Sequence, residues 1–313
     1  ALPKAIKNHR IKAMYLMEAD PCTESSAAAE FQSSLKSLDF LVVQDLFMTE
    51  TARLADLVLP AAFFLEREEI ATMPLSLQTR AVDGGSCWPD WKVWWELANR
   101  MGYAKHFPWK GFDDLADFVL QPTGATVEEL KQHPEGIMHT IEPGQFLKDG
   151  FYTYSGKIEL YSHSLEANGY DPLPDYREPL ESVRSTPELA RDYPLTLTTG
   201  GRHPAYLHSQ HRNIPGLRKL SRGPMLEMHP ATALDCNVMD GDRVKVTSPR
   251  GTVTVRARVT DKIMPRVVHL PHGWIDADCN ALTDHANRDP ISGFPGLKSS
   301  LCRVEKVESL QAE

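Results

Sequence analysis

Residues 243–259 read RVKVTSPRGTVTVRARV, and this stretch decides the fold of the second half of the chain. Apolar and polar side chains alternate on both sides of the turn sequence SPRG at 248–251. Alternation with a period of two is typical of a strand that buries one of its faces. The stretch therefore predicts a β-hairpin with strands over 243–247 and 252–259.

Short apolar runs recur on either side of this hairpin, beginning after Tyr193. The further predicted strands are Leu195–Thr198, Met225–Met228, Val267–Leu270 and Leu301–Val304. Six short strands with few helices between them are typical of a small closed barrel. The second half of the chain is therefore expected to form a β-barrel.

The first half of the chain has a different pattern. Residues 39–43 read DFLVV, a continuous apolar run of the kind that is buried on both faces of a parallel sheet. The neighbouring predicted strands are Ile11–Met17 and Asp56–Pro60, and the predicted helices are Ser25–Leu38, Glu50–Ala55 and Asp90–Met101. Strands and helices that alternate at this spacing predict an α/β domain with an open, mostly parallel sheet.

The middle of the chain is less regular. Short helices are predicted over Phe112–Leu120 and Thr126–Gln132, and a second hairpin over Phe151–Tyr161. The segment Asp171–Asp192 is rich in Pro, Glu, Asp and Arg, which is typical of a linker between domains. We therefore expect an α/β domain over residues 1–180 and a β-barrel domain over residues 190–313.

Composition excludes several classes of function. The net charge is −8 and no tract of Lys and Arg stands out, so nucleic-acid binding is not expected. The five cysteines form no CxxC pair, so we expect no iron–sulfur cluster in this chain. The histidines form no HExxH motif, which argues against a self-contained zinc hydrolase. The sequence assigns the protein to no cellular compartment.

Candidate binding residues lie where the predicted strands end, because ligands of open α/β sheets bind beyond the carboxyl ends of the strands. Asp45 follows the predicted strand at 39–43, where its carboxylate could accept hydrogen bonds from a ribose or a guanine. The alternative is that Asp45 or Thr49 caps the next helix.

A second group of candidates lies in residues 198–212, which read TTGGRHPAYLHSQHR. Paired glycines after a strand let the backbone approach a ligand closely. The polar candidates that follow are Arg202 and Arg212, whose planar guanidinium groups suit phosphate oxygens, and His208, Ser209 and Gln210 as neutral donors. The alternative is a solvated loop whose arginines pair with the acidic surface.

Asn280 is a third candidate, because it follows the sequence PHGW at 271–274. Its amide could bind the edge of a heterocycle. The alternative is that this asparagine only caps a turn.

Taken together, these segments resemble the C-terminal region of the DMSO-reductase-type molybdopterin oxidoreductase family. The matching segments, in the order of the family, are 11–21, 39–52, 55–61, 89–91, 96–100, 155–161, 198–212, 229–231, 240–244 and 273–295. Any one of them is a weak signal, whereas the ordered series is specific and covers nearly the whole chain.

The resemblance implies that the α/β domain cradles one guanosine arm of a molybdopterin guanine dinucleotide, and that a barrel of double-psi type closes over the pterins. The metal, Mo or W, would have no ligand in this chain. The residues that match the cofactor-binding positions of the family are Asp20, Ser25, Gln44, Asp45, Thr49, Thr199, Gly200, Arg202, His208, Ser209, Gln210, Asn280 and Lys298. No catalytic residue is assigned.

Two departures from the family pattern stand out. Asp20 occupies a position where the family usually has Asn, and Glu68-Glu69 stands where Glu-x-Gly is common. In addition, the resemblance places the iron–sulfur cluster and the protein ligand of the metal in N-terminal domains that this chain lacks. We therefore expect those domains as partners, with iron–sulfur electron-transfer and membrane-anchor subunits as further candidates, and an inactive chain when it is alone.

The full-length protein is expected to be a reductase or dehydrogenase of a small inorganic or one-carbon substrate. The segments 155–161 and 171–174 favour thiosulfate- or polysulfide-reductase-like members, with formate oxidation also open. Two alternatives remain: a non-redox hydratase on the same scaffold, and a non-catalytic module that binds a nucleotide or a partner subunit.

Overall fold

The computed structural model describes residues 2–138, 143–173, 175–201, 205, 213–221 and 223–307. The chain divides into two compact units, one formed by Ala1–Leu59 with Glu178–Glu313 and the other by Pro60–Arg177. The second unit ends inside the linker that the sequence predicts, whereas its beginning has no counterpart in the predicted division at 180–190. That two-domain division stays a prediction.

The elements of the described residues are as follows. The helices are α1 (Leu2–Lys7), α2 (Pro21–Glu24), α3 (Ala28–Leu35), α4 (Asp90–Arg100), α5 (Phe112–Leu120), α6 (Val127–Gln132), α7 (Gln145–Asp149), α8 (His163–Ala167), α9 (Pro187–Asp192), α10 (Pro215–Arg218) and α11 (Pro230–Asp235). The strands are β1 (Ala13–Met17), β2 (Phe40–Asp45), β3 (Leu57–Pro60), β4 (Glu69–Thr72), β5 (Leu75–Gln78), β6 (Leu195–Thr198), β7 (Met225–Met228), β8 (Arg243–Thr247), β9 (Thr252–Val259), β10 (Val267–His269) and β11 (Ser300–Lys306). Short 3-10 turns cover Ala52–Leu54, Phe64–Glu66, Ala104–His106, Gln121–Thr123, Ile275–Ala277 and Cys279–Leu282.

A three-stranded sheet in the order β1-β2-β3 lies in the first unit. Strands β1 and β2 are parallel, with Ala13 opposite Phe40 and Met17 opposite Gln44. Four consecutive residues of β2, at 41–44, are buried, because this strand is covered on both faces. The parallel sheet predicted from the apolar run DFLVV is thereby confirmed.

A closed barrel in the order β10-β6-β11-β8-β9-β7 lies in the same unit. Its pairs β6–β10 and β7–β9 are parallel, and the hairpin of β8 and β9 is antiparallel with Val246 opposite Val253. Alternate residues of β9 are buried, as the period-two pattern predicts. The six-stranded barrel is confirmed, and its strands match the predicted ranges to within a few residues at each end.

The second unit contains an antiparallel hairpin of β4 and β5, which the sequence did not predict. A small apolar core lies beside it, formed by Leu75, Ala116, Leu120, Val127 and Leu130. Helices α5 and α6 supply most of this core, and the predictions of helices there are confirmed.

Two predicted elements are wrong. The hairpin expected over Phe151–Tyr161 has no strand; residues 151–157 form a compact turn in which the amide of Phe151 donates to the carbonyl of Gly156. Tyr152 and Tyr154 are fully exposed, so the alternation of aromatic residues there has no sheet to bury one face. The helix expected over Glu50–Ala55 is only the 3-10 turn Ala52–Leu54.

The C-terminal part of the predicted linker is attached to the barrel. The buried carboxylate of Glu181 accepts hydrogen bonds from the amide of Leu301 in β11 and from the guanidinium group of Arg250. Helix α9 follows this anchor. Residues 171–177, by contrast, precede the anchor and form no helix or strand in their described part.

Limited digestion with trypsin should therefore cut first after Arg177, whose side chain is 78% exposed, and later after Arg250, whose side chain is 26% exposed. Exposed segments without hydrogen-bonded backbone are the preferred sites of cleavage. Mass spectrometry of the early fragments measures the order. First cleavage after Arg250, inside the barrel hairpin, would contradict the account.

Candidate functional site

The two predicted site residues at the end of β2, Gln44 and Asp45, differ in burial and in hydrogen bonding. Gln44 is completely buried, and its Oε1 accepts a hydrogen bond from the hydroxyl of Tyr15. Asp45 is half-buried, and its Oδ1 accepts from the amide of Phe47 at 3.2 Å. Burial raises the pKa of Asp45, and the nearby carboxylate of Asp20 also raises it. The carboxyl group of Asp45 keeps unused acceptor positions, since a carboxylate can accept about four hydrogen bonds.

The side chain of Thr49 forms a hydrogen bond with the nearby backbone. Its Oγ1 accepts a hydrogen bond from the amide of Ala52 at 3.1 Å. This is the capping role that the sequence offered as the alternative to ligand binding. A ligand-binding role for Thr49 stays a prediction.

Asp20 is buried and fixes helix α2 to the turn after β2. Its Oδ1 accepts from the hydroxyl of Thr51 at 2.6 Å and from the amide of Thr51 at 3.2 Å. The same hydroxyl accepts from the amide of Cys22 at 3.2 Å. Ser25, at the other end of α2, accepts from the amide of Ala27 at 3.1 Å. The loop that contains Asp20 and Ser25 is therefore held by its own polar groups.

Thr199 is the first of three buried residues that are linked by hydrogen bonds. Its hydroxyl donates to the carbonyl of Leu297 at 3.1 Å and lies 3.0 Å from Nε2 of His272. With its proton given to Leu297, the hydroxyl accepts from Nε2, and the ring proton is assigned to that nitrogen. The other ring nitrogen, Nδ1, then accepts from the thiol of Cys279 at 3.2 Å. Thr199, His272 and Cys279 are all buried.

The glycines that follow Thr199 make room for two nitrogen-bearing side chains. A Cβ at Gly200 would lie 3.0 Å from Cε of Lys298, and a Cβ at Gly201 would lie 2.7 Å from Nε2 of His269. Any larger residue at 201 would displace the histidine ring. The paired glycines thus accommodate side chains of the protein, and their predicted close approach to a ligand stays a prediction.

Asn280 connects the barrel to the α/β layer. Its Nδ2 donates to the backbone carbonyl of Thr23, in helix α2, at 2.9 Å. The Oδ1 of Asn280 and the hydroxyl of Thr23 are both buried and have no hydrogen-bond partner among the described residues. Asp278 caps the 3-10 turn, so Asn280 is not the residue that caps it.

The structure thus brings together two groups of predicted residues. Asp20, Ser25 and Asn280 surround helix α2, and Thr199, Gly200 and Lys298 lie together at the end of β6. The predicted residues Arg202, His208, Ser209, Gln210 and Arg212 lie outside the described residues.

Sequence reasoning missed Thr23, His269 and His272. Thr23 follows the Asp20-Pro21 turn, His269 ends a predicted strand, and His272 lies in the sequence PHGW. The contacts of Thr23 with Asn280, of His269 with Glu227 and of His272 with Thr199 join positions that are distant along the chain.

In the part of the chain that the structure describes, no group of three or more His, Cys, Asp or Glu side chains is arranged to hold a metal ion. No helix in the same part of the chain is long and apolar enough to cross a membrane.

Residues 1–100 match the family described as Molybdopterin oxidoreductase, and residues 195–301 match the family described as Molydopterin dinucleotide binding domain. The chain belongs to the molybdopterin oxidoreductase family.

Individual relatives agree with this placement. The chain is 32% identical to an acetylene hydratase of Syntrophotalea acetylenica, over 87% of this chain and 41% of that protein. It is 33% identical to a formate dehydrogenase alpha subunit of Methanocaldococcus jannaschii, over 95% of this chain and 43% of that protein. The solved structure of acetylene hydratase from Pelobacter acetylenicus matches with a TM-score of 0.85 at 29% identity, over 98% of this chain and 46% of that chain. The chain thus spans less than half the length of these relatives.

The residues present fit a pterin dinucleotide. Pterin and guanine rings carry donors and acceptors on their edges, and the unpaired Asn280 Oδ1 and Thr23 hydroxyl can bind such groups. The Lys298 ammonium group suits an anionic oxygen. The unpaired buried atoms are the observation that supports the fit, because such atoms are rare in folded proteins.

The departure at Asp20 predicts a difference between two substitutions. Asp20→Asn keeps an acceptor oxygen for Thr51 and should change the free energy of unfolding by about 1 kcal/mol or less. Asp20→Ala leaves two buried donors of Thr51 without an acceptor and should cost about 2–4 kcal/mol. Urea denaturation measures both variants, and equal effects would show that the acceptor at position 20 is not what fixes α2.

Proposed function

We propose that this chain holds a molybdopterin guanine dinucleotide, carrying Mo or W, in a longer oxidoreductase of the DMSO-reductase type. The observation that carries the proposal is the pair of unpaired buried atoms, Thr23 Oγ1 and Asn280 Oδ1, which lie where the α/β layer contacts the barrel. Their partners would be supplied by the edge of a pterin ring.

The other residues of the proposed site would each contact a different part of the cofactor or support such a contact. Asp45 would accept hydrogen bonds from the guanine or ribose, because its half-buried carboxyl group has acceptor positions to spare. Gly200 would let the cofactor approach the backbone beside Lys298, whose ammonium group would neutralise an anionic oxygen. Thr199 would position this turn through its hydrogen bonds to Leu297 and His272.

When bound, the cofactor supplies a metal that changes oxidation state while a substrate is oxidised or reduced. The contribution of this chain is to bind and orient that group and to exclude water around it. The metal ligand, any iron–sulfur cluster and the electron-transfer partners would belong to domains and subunits outside these 313 residues. The complete enzyme would act on a small inorganic or one-carbon compound.

Thr23→Val tests the binding role, because valine has the shape of threonine without its hydroxyl. That hydroxyl makes no hydrogen bond among the described residues, so the free energy of unfolding without cofactor should stay the same or rise. In the longer protein the content of molybdopterin should fall, by roughly 5- to 100-fold in affinity, through loss of one buried hydrogen bond.

Thr23→Ser is the matched control, since it keeps the hydroxyl and should keep the cofactor. Occupancy is measured as pterin released per polypeptide, beside Mo and W by elemental analysis. Full occupancy in Thr23→Val would remove Thr23 from the site. Loss of occupancy in both variants would assign the effect to packing.

A second candidate function is a hydratase without net redox change. The observation that favours it is the similarity, in sequence and in structure, to proteins named acetylene hydratase. Turnover of an alkyne by the longer protein, without any electron donor or acceptor being consumed, would support it. Turnover that requires a redox dye would favour the oxidoreductase.

A non-catalytic module that binds a nucleotide or a partner is a third candidate. A reading frame that continues upstream of Ala1 with a CxxC-containing segment would favour the two enzymes over this module.

The purified 313-residue chain should contain no stoichiometric Mo, W or Fe and should not turn over redox dyes. Its described residues offer no metal-binding group, and a ligand held by half of its site keeps only part of its contacts while the entropic cost of immobilising it remains. Elemental analysis and a dye-reduction assay test this. Near-stoichiometric metal or turnover would show that the chain is self-sufficient.

A further inference from the structure

A short turn of the barrel unit, residues 288–295, exposes two large apolar side chains. Ile291 is 59% exposed and Phe294 is 60% exposed. Arg288 and Pro295 form a β-bridge at the base of this turn, and Leu297, just beyond the base, is buried. Single apolar residues on a surface are common, whereas apolar residues grouped on one surface feature often mark a contact with another protein surface.

The turn is held in one conformation by its own hydrogen bonds. Oδ1 of Asp289 accepts from the amide of Ile291 at 3.1 Å, and from the amide and the hydroxyl of Ser292 at 2.6 Å and 2.8 Å. The amide of Asp289 donates to the carbonyl of Phe294 at 2.8 Å, which closes the turn. The amide and then the hydroxyl of Ser292 lower the pKa of Asp289, so its carboxylate stays ionised and remains an acceptor. The two apolar side chains therefore lie on a preformed turn.

The base of the turn is attached to the proposed cofactor site. The carbonyl of Leu297 accepts from the amide of Thr199 at 2.8 Å and from the hydroxyl of Thr199 at 3.1 Å. Lys298 follows Leu297 and lies over Gly200, where a Cβ would be 3.0 Å from its Cε. The exposed turn thus leaves the barrel next to residues that the proposed function assigns to the cofactor.

The remainder of the longer protein is the partner that these observations favour. The region of similarity is 41% of one relative and 43% of another, so more than half of such a protein lies outside this chain. Ligand sites bury most of the surface of what they bind. Another part of the protein would therefore have to close over the side of the cofactor that this chain leaves open. The surface beside Lys298, which includes the turn, borders that opening.

We propose that the turn 288–295 docks, through Ile291 and Phe294, into an apolar pocket on the part of the longer protein that lies outside these 313 residues. The proposal rests on the proposed function, because it needs a cofactor that both parts enclose, and it adds to that site the contact between the two parts. Aromatic side chains are enriched in the buried centre of interfaces, so Phe294 is the main contact residue. Because the turn is preformed, docking orders little additional chain.

The first test is photo-cross-linking in the longer protein, with p-benzoylphenylalanine in place of Phe294. Peptide mass spectrometry should find position 294 joined to a residue of the same polypeptide outside the 313 residues. Met264 is the matched control position, because it is 73% exposed in the loop before β10, and it gives the background of the method. Cross-links from position 294 only to a second copy, to a separate subunit or to residues within the 313 would overturn the inference.

The second test measures release of the cofactor from the longer protein. Phe294→Asp should release pterin roughly 10- to 100-fold faster on dilution, because loss of a buried contact residue acts mainly on the dissociation rate. Met264→Asp should release pterin at the rate of the unsubstituted protein. Both side chains are exposed in the 313-residue chain, so neither substitution should change the midpoint of its thermal denaturation.

The outcomes separate this inference from the proposed function. Equal rates of release from Phe294→Asp and Met264→Asp, in a protein that does contain pterin, would overturn the docking of the turn and leave the proposed function standing. A lower denaturation midpoint of the 313-residue chain in Phe294→Asp would also count against docking, because it would assign the effect to folding of the barrel. Absence of pterin from the unsubstituted longer protein would overturn the proposed function and, with it, this inference.

Discussion

The hydrogen bond from Asn280 Nδ2 to the carbonyl of Thr23 is the contact on which the proposed site depends. It joins a turn of the barrel to helix α2 across 257 positions of sequence. It uses the amide nitrogen of Asn280 and leaves the amide oxygen, with the hydroxyl of Thr23, buried and unpaired. Each such atom costs about 1–3 kcal/mol if it stays unpaired. A ligand that pairs both atoms would recover that free energy, which is why we propose this contact as the centre of the cofactor site.

Buried polar chains support the site from both sides. On the α/β side, Asp20 and Thr51 fix the start of α2 through two hydrogen bonds. In the barrel, His272 links Thr199 to Cys279 and so fixes the turn that carries the paired glycines. Low local polarity strengthens these bonds and penalises any loss of a partner. The loops at the site are therefore held in place before any ligand arrives.

The sequence predicted most of the fold because strands with one buried face leave a period of two in the chain. The hairpin β8–β9 and the barrel strands follow that rule. The same pattern failed over residues 151–161, where the aromatic side chains are exposed and no neighbouring strand covers one face. An alternating sequence therefore forms a strand only where a neighbouring element buries one of its faces.

The site was predicted less completely, for a physical reason. Asp45, Gly200 and Asn280 could be chosen because each follows a strand or a turn with a recognisable pattern. Thr23, His269 and His272 act through partners on other elements, and no local pattern encodes such contacts. The hydrogen bond between Thr199 and His272 spans 73 positions, and only the closed barrel brings its ends together.

The most direct test of the central claim is an experimental structure of the longer protein with its cofactor bound. The account predicts that a nitrogen or oxygen atom of the pterin lies within hydrogen-bond distance, about 2.7–3.2 Å, of Asn280 Oδ1 and that another lies as close to the hydroxyl of Thr23. A cofactor bound elsewhere, with both atoms still unpaired or bridged only by water, would contradict it.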